Sequence, residues 1–225
     1  RPAMVINPVF TRVAFPIMSK LQDSHRLSTV YCKLTHVLAL LNFPLYIALA
    51  VLAEPIVQFV FGEQWLHIVH IFRLMAIWCL IRSIINPAGS LLMALGKVSL
   101  ALKWNLFLLC VFPLTIYVGA GYGLIGVIVT LLLVQLILLP FAWYFLLNRT
   151  INITGKVFFK TLVTPLIMAI TAGVLSWSSL LFSTSYLYWQ QLILATFIGG
   201  VSYCLMAYKS SVFFQNICKG NISFE

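Results

Sequence analysis

The sequence predicts an all-α fold, a polytopic transmembrane helical bundle of about seven segments, and three observations carry that prediction. The first is composition: 62% of the 225 residues are hydrophobic and 8% are charged, with a mean hydropathy of +1.05. Soluble domains are about 25% charged. The second is run length. The apolar stretches approach or exceed the ~20 residues that cross a bilayer as a helix, and they lack the alternation of barrel strands. The third is charge placement, with basic residues in every second gap between apolar stretches, as the positive-inside rule requires.

The first segment spans about 2–18, and Lys20, Arg26 and Lys33 follow it. The second, about 35–61, contains Pro44 and leads to Glu63. The third, about 68–95, holds Arg82, Asn86 and Pro87, with Lys97 and Lys103 after it. The fourth, about 102–119, contains Pro113, and the gap Gly119 to Gly123 carries no charge. The fifth, about 123–147, contains Pro140 and is followed by Arg149, Lys156 and Lys160. The sixth, about 161–182, has Pro165 near its start, and the gap Ser183 to Trp189 is again uncharged. The seventh, about 188–208, precedes Lys209 and Lys219. The basic gaps and the C-terminus are therefore expected in the cytoplasm, and the chain is expected to start outside. Trp65, Trp104, Trp177 and Trp189 fall near the expected interfaces, where amphipathic rings collect.

Prolines within membrane segments remove an intrahelical hydrogen bond and bend the helix, which predicts a bundle that bends. The glycine cluster 119–126 makes the fourth and fifth segments antiparallel neighbours, and Gly123 and Gly126 are expected to let them approach closely.

A net charge of +10 raises nucleic-acid binding, but the basic residues form no single face and mark one side of the membrane instead. There they meet anionic lipid. Five cysteines (Cys32, Cys79, Cys110, Cys204, Cys218) show no metal or redox spacing and read as reduced packing residues. Three glycosylation sequons, at Asn148, Asn152 and Asn221, fall on the side read as cytoplasmic and are chance matches.

The four acids, Asp23, Glu54, Glu63 and Glu225, all lie outside mid-membrane depth. Paired-carboxylate hydrolysis, a metal-dependent glycosyltransferase and a buried proton relay therefore lack their parts in this chain. No nucleophile elbow is present. His67 and His70 share a helical face, but too few ligands accompany them for a metal site. No catalytic set, metal or cofactor is expected.

Arg82 is the outlying charge, near the middle of its segment, where a cation is costly. Asn86 lies one turn on, on the same face, followed at once by Pro87. Either Arg82 faces a water-filled cavity and meets a substrate anion such as phosphate, or it bonds to backbone carbonyls or to an acid elsewhere in the protein. Arg73 lies on roughly the opposite face and can snorkel outwards. Arg12, after Asn7-Pro8, snorkels towards the cytoplasm or contacts a lipid-linked phosphate.

The stretches from Asn7-Pro8-Val9 to Asp23, from Ala53-Glu54-Pro55 to Phe61-Gly62-Glu63-Gln64-Trp65, and from Leu80-Ile81-Arg82-Ser83 through Asn86-Pro87-Ala88-Gly89-Ser90 to Gly96-Lys97 resemble bacterial polysaccharide flippases. The resemblance is to the colanic-acid-exporter type of the polysaccharide transporter family. It is dense over about 1–126 and rests on topology thereafter. That family falls in a superfamily with multidrug extrusion transporters and the lipid II flippase. The resemblance implies that residues 1–225 form the C-terminal lobe of a two-lobe transporter of about twice this length, with an N-terminal lobe as partner. It implies translocation of undecaprenyl-diphosphate-linked oligosaccharide across the bacterial inner membrane, alongside the polysaccharide polymerase machinery, with Arg82, Arg12 and Asn86 contacting substrate. The alternatives are a multidrug or ion antiporter of the same superfamily, a membrane enzyme of polysaccharide assembly, and an inactive remnant of a flippase.

Overall fold

The computed structural model describes residues 18–19, 24–182 and 188–219, and for 24, 25 and 210–219 the backbone alone. Arg12, nearly all of the predicted first segment, Lys20, Asp23, Asn221 and Glu225 lie outside the described residues. The elements are α1 (Ser24–Val51), α2 (Ala53–Phe61), a 3₁₀ turn (Glu63–Ile68), α3 (Val69–Ile85), α4 (Pro87–Ala94), α5 (Val98–Ala120) and α6 (Gly123–Ala142). A π-helical turn (Trp143–Asn148), α7 (Arg149–Ile151), α8 (Gly155–Phe182) and α9 (Tyr188–Lys219) complete the order. Among the described residues there is no strand, and six helical stretches are long and apolar enough to cross a membrane.

The helices overrun the apolar stretches at the basic ends. α1 begins at Ser24, ahead of the predicted 35, so Arg26, Cys32 and Lys33 are helical residues and not loop residues. α8 likewise begins at Gly155 and carries Lys156 and Lys160 in its first turns. Long basic side chains allow this, because their stems lie along apolar surface while the charge reaches water. The predicted second segment divides at Leu52, where Glu54 and Pro55 open α2 with residue types suited to a helix N-terminus.

The helices pack in a row, α9 on α8, α8 on α1, α1 on α3, α3 on α6 and α6 on α5. In the apolar stretches of α1 and α8, 39% of residues are buried, against 6% in α5 and in α9, so α1 and α8 form the centre. Tyr31, Phe43, Phe158, Met18, Leu27, Leu91, Leu92 and Leu147 are the largest fully buried side chains of the core. The Asn42 carboxamide, 1% exposed, has no partner among the described residues and stands as an uncompensated cost there.

Two prolines explain how these helices are tied together. Pro44 lies inside α1 and cannot donate to Leu40 O. Tyr203 of α9 donates its hydroxyl to that carbonyl at 2.7 Å. Pro165 lies inside α8 and leaves Thr161 O without its donor. His36 of α1 reaches Thr161 O through Nδ1 at 2.9 Å, which makes Nδ1 the protonated ring nitrogen of that bond. Each proline thus exposes an acceptor that a neighbouring helix fills, as an apolar solvent requires. Ser176 Oγ adds a third tie, donating from α8 to Ala195 O of α9 at 2.9 Å.

The α5–α6 hairpin forms as the glycine cluster predicts, with different glycines in the two roles. Gly119 and Gly126 make the close approach: a Cβ on Gly119 would meet Thr130 Oγ1 and lie 2.6 Å from Val127 Cα, and one on Gly126 would lie 2.7 Å from Gly119 O. Gly123 has φ +76° and open space around it, so it serves the turn and not the contact. Thr130 Oγ1 crosses this seam to Thr115 O at 3.3 Å and also donates to Gly126 O at 2.9 Å. At the other end of α5, Gly96 at φ +67° closes α4. Lys97 N–H reaches Leu92 O at 2.9 Å and Gly96 N–H reaches Met93 O at 3.1 Å, a Schellman pair.

Tyr203→Phe is expected to lower stability by about 1 kcal/mol, in the range of interhelical bonds measured in membranes. In a Pro44→Ala background residue 44 regains its N–H, and the same change should cost half as much or less. Equal penalties in both backgrounds, measured by unfolding in mixed micelles, would disprove the link. Gly119→Ala should cost about 1–3 kcal/mol through overpacking. Gly89→Ala, where a Cβ meets nothing within 4 Å, should be neutral or stabilising in the same assay.

Candidate functional site

α3 and α4 form one interrupted helix. Asn86 keeps helical dihedrals (φ −54°, ψ −39°), but Pro87 has no N–H for Ser83 O, so the hydrogen-bond ladder breaks while the direction persists. Arg82 and Asn86, one turn apart across this break, line a cleft of about 200 Å³. Trp104, Asn105 and Phe112 of α5 and Gln135 of α6 line it with them. Ala88, Leu92 and Leu138 are among the apolar residues that close its floor.

The Arg82 guanidinium lies 5.0 Å from the Trp78 ring centroid and 5.5 Å from that of Phe112. Trp78 stands one turn back on α3, and Phe112 comes from α5. Among the described residues no carboxylate reaches Arg82, and no hydrogen bond occupies its N–H groups. Of the two sequence readings, carbonyl bonding within these residues is thereby excluded. The cation is held by aromatic faces, worth about 0.5–2 kcal/mol depending on desolvation, and its five donors remain open. The cleft carries one cation, no acid and three carboxamides, so it can bind an anion and hydroxyl groups together.

Gln135 is 8% exposed, and that exposure is to the cleft. Sequence reasoning missed it, together with Trp104, Asn105 and Phe112 as neighbours of Arg82. The signal for Gln135 was present: it is the lone carboxamide of α6, where the other polar side chain is Thr130. Arg12, the other cation expected to contact substrate, lies outside the described residues.

A further set of polar residues gathers where α2, the 3₁₀ turn and the start of α3 meet. Arg73 Nη2 meets Glu54 Oε2 at 3.5 Å, with the two side chains 38% and 63% exposed, a solvated pair of small energetic weight. Arg73 therefore has a carboxylate partner, which its expected snorkelling did not include. Gln58 Nε2 donates to Glu63 Oε1 at 3.2 Å. His67 belongs to the 3₁₀ turn, where Nδ1 bonds with Gln64 O at 3.0 Å, whereas His70 lies in α3, so the single helical face expected for the two is interrupted. Among the described residues no three His, Cys, Asp or Glu side chains converge.

Comparison with known proteins gives a consistent set. The family described as polysaccharide biosynthesis protein matches residues 1–70. The chain is 34% identical over 179 residues to the lipopolysaccharide biosynthesis protein WzxC of Escherichia coli, covering 79% of this chain and 36% of that protein. It is 37% identical over 153 residues to an uncharacterized membrane protein in the cps region of Klebsiella pneumoniae, covering 67% and 32%. It is 27% identical over 206 residues to the teichuronic acid biosynthesis protein TuaB of Bacillus subtilis, covering 91% and 43%. The chain spans about a third to two fifths of the length of these curated relatives. No solved structure matches it significantly. Taken with the helical bundle, these matches bear out the resemblance read from the sequence: the chain belongs to the polysaccharide biosynthesis protein family of multi-pass membrane proteins.

Proposed function

We infer that the chain forms part of a flippase that moves a lipid-linked oligosaccharide across the bacterial inner membrane for polysaccharide export. The observation that carries this reading is Arg82, a mid-segment cation with open donors, set beside Asn86 in a cleft that holds no acid. A cleft-lining cation without a carboxylate partner suits a diphosphate, whose oxygens accept the guanidinium's paired N–H groups. The names of the relatives, which refer to lipopolysaccharide and teichuronic acid biosynthesis, support a polysaccharide precursor as the cargo class. In this reading the chain is the C-terminal lobe, its C-terminus is cytoplasmic, and Arg12 contributes a second contact nearer the cytoplasm. An N-terminal lobe completes the cavity, and the two lobes rock to expose it on alternate sides while the lipid tail stays in the bilayer.

The antiporter alternative needs a buried acid to couple an ion gradient. Glu54 and Glu63 lie at the outer end, and Glu54 is occupied by Arg73. This favours the flippase reading for the described residues.

In a strain dependent on the full-length protein, Arg82→Gln should abolish polysaccharide export with protein level intact, and lipid-linked repeat units should accumulate on the cytoplasmic face. Arg82→Lys should retain a minor fraction, because a point charge replaces a bidentate fork. Normal export by Arg82→Gln would overturn the reading. Glu54→Gln should leave export unchanged and shift stability by less than about 1 kcal/mol, as an exposed pair does. Loss of export in Glu54→Gln at normal protein level would favour ion coupling through that carboxylate.

A further inference from the structure

We propose that Asn105, Gln135 and Trp104 form a subsite beside Arg82 that reads one neutral, hydroxyl-bearing sugar ring of the cargo. The proposal rests on the translocation reading above and adds to it which residues recognise sugar as distinct from phosphate.

The argument starts with α6. Over Gly123–Ala142 its polar side chains are Thr130 and Gln135. Thr130 is occupied across the seam with α5. Gln135 is 8% exposed, and no hydrogen bond among the described residues involves its carboxamide. Its carboxamide is not among the fully buried unpaired groups, so it keeps access to the cleft with both donors and its acceptor unused. The side chain opens onto the same cleft as Asn105 and Asn86.

Chemistry then selects the ligand. Each carboxamide offers two donors and an acceptor. A phosphate oxygen uses donors alone, so three carboxamides around one guanidinium hold more acceptors than a second phosphate could use. Sugar hydroxyls donate and accept, and match such a set. Trp104 supplies the apolar component, because the electron-rich indole face packs against the C–H face of a pyranose. The absence of an acid from the lining argues against a protonated amino sugar. The part of the cleft these residues form, about 200 Å³, has room for one ring, which is the portion of the cargo assigned to it.

The test uses the full-length protein in lipid nanodiscs and two probes, undecaprenyl diphosphate and the same lipid bearing a single neutral hexose. Wild type should bind the hexose-bearing lipid about tenfold or more tighter, and Gln135→Leu and Asn105→Leu should each remove most of that preference with affinity for the bare diphosphate unchanged. Leucine suits both helices, so folding is retained, and thermal unfolding of the nanodisc-embedded variants checks it. Arg82→Gln should do the converse, weakening both lipids together. The subsite is overturned if both leucine variants keep the hexose preference, if they weaken both lipids equally, or if wild type shows no preference. In that last case diphosphate binding lost in Arg82→Gln would leave the translocation reading standing. Wild type that binds neither lipid would overturn both.

Discussion

Two backbone carbonyls that prolines strip of their helical donors are filled by side chains of neighbouring helices, and the centre of this bundle is organised around them. Leu40 O on α1 takes the Tyr203 hydroxyl, and Thr161 O on α8 takes the His36 ring N–H. The His36 bond lies in the α1–α8 contact that buries the middle of the molecule, and the Tyr203 bond ties α9, which packs mainly on α8, across to α1. Hydrophobic burial cannot select these neighbours, because lipid tails are as apolar as the facing side chains. Directional bonds to exposed acceptors can. A proline that would break a soluble helix here acts as the address at which a partner helix docks.

The same constraint sorts the charges. Arg73 has solvent and Glu54 within reach and becomes an ordinary exposed pair. Arg26, Lys33, Lys156 and Lys160 ride on helices that start ahead of the apolar stretches, where long side chains can carry a charge to an interface. Arg82 has no carboxylate within reach among the described residues and packs against Trp78 and Phe112 instead. Aromatic faces lower the cost of the cation without using its donors, whereas a carboxylate would have neutralised it. A cation stabilised in this manner keeps its capacity for an anionic ligand.

Much of this was legible in the sequence because it is local. Composition and run length give a helical membrane bundle, the glycine cluster gives the α5–α6 hairpin, and the spacing of Arg82, Asn86 and Pro87 puts the first two on one face beside a break. What was illegible depends on distance along the chain. The His36–Thr161 bond joins residues 125 apart, and Tyr203–Leu40 joins residues 163 apart. The proline at i+4 of each acceptor marks an unfilled carbonyl, but not which helix fills it. The helix starts were misplaced because a hydropathy window ends where Lys and Arg begin, while a helix continues as long as its side chains can snorkel. Phe112 and Gln135 could not be assigned to Arg82 without knowing that α3 packs on α6 and that α5 closes the same cleft.

The two halves of the row use their few polar groups differently. On α1, α8 and α9, His36, Ser176 and Tyr203 each hold a backbone carbonyl of another helix, so polarity there is turned inward to fix the fold. On α3, α5 and α6, Arg82, Asn86, Asn105 and Gln135 hold no such carbonyl and open together onto one cleft. The tied half still carries buried unpaired groups, the Asn42 carboxamide among them, whereas Arg82, Asn86 and Asn105 are exposed and keep their polar groups accessible. The break at Pro87 lies where the two meet: Ala88, Leu91 and Leu92 are buried in the central cluster, while Asn86 faces the cleft. The orientation of the cleft's polar residues is therefore set by the packing of the core directly behind them.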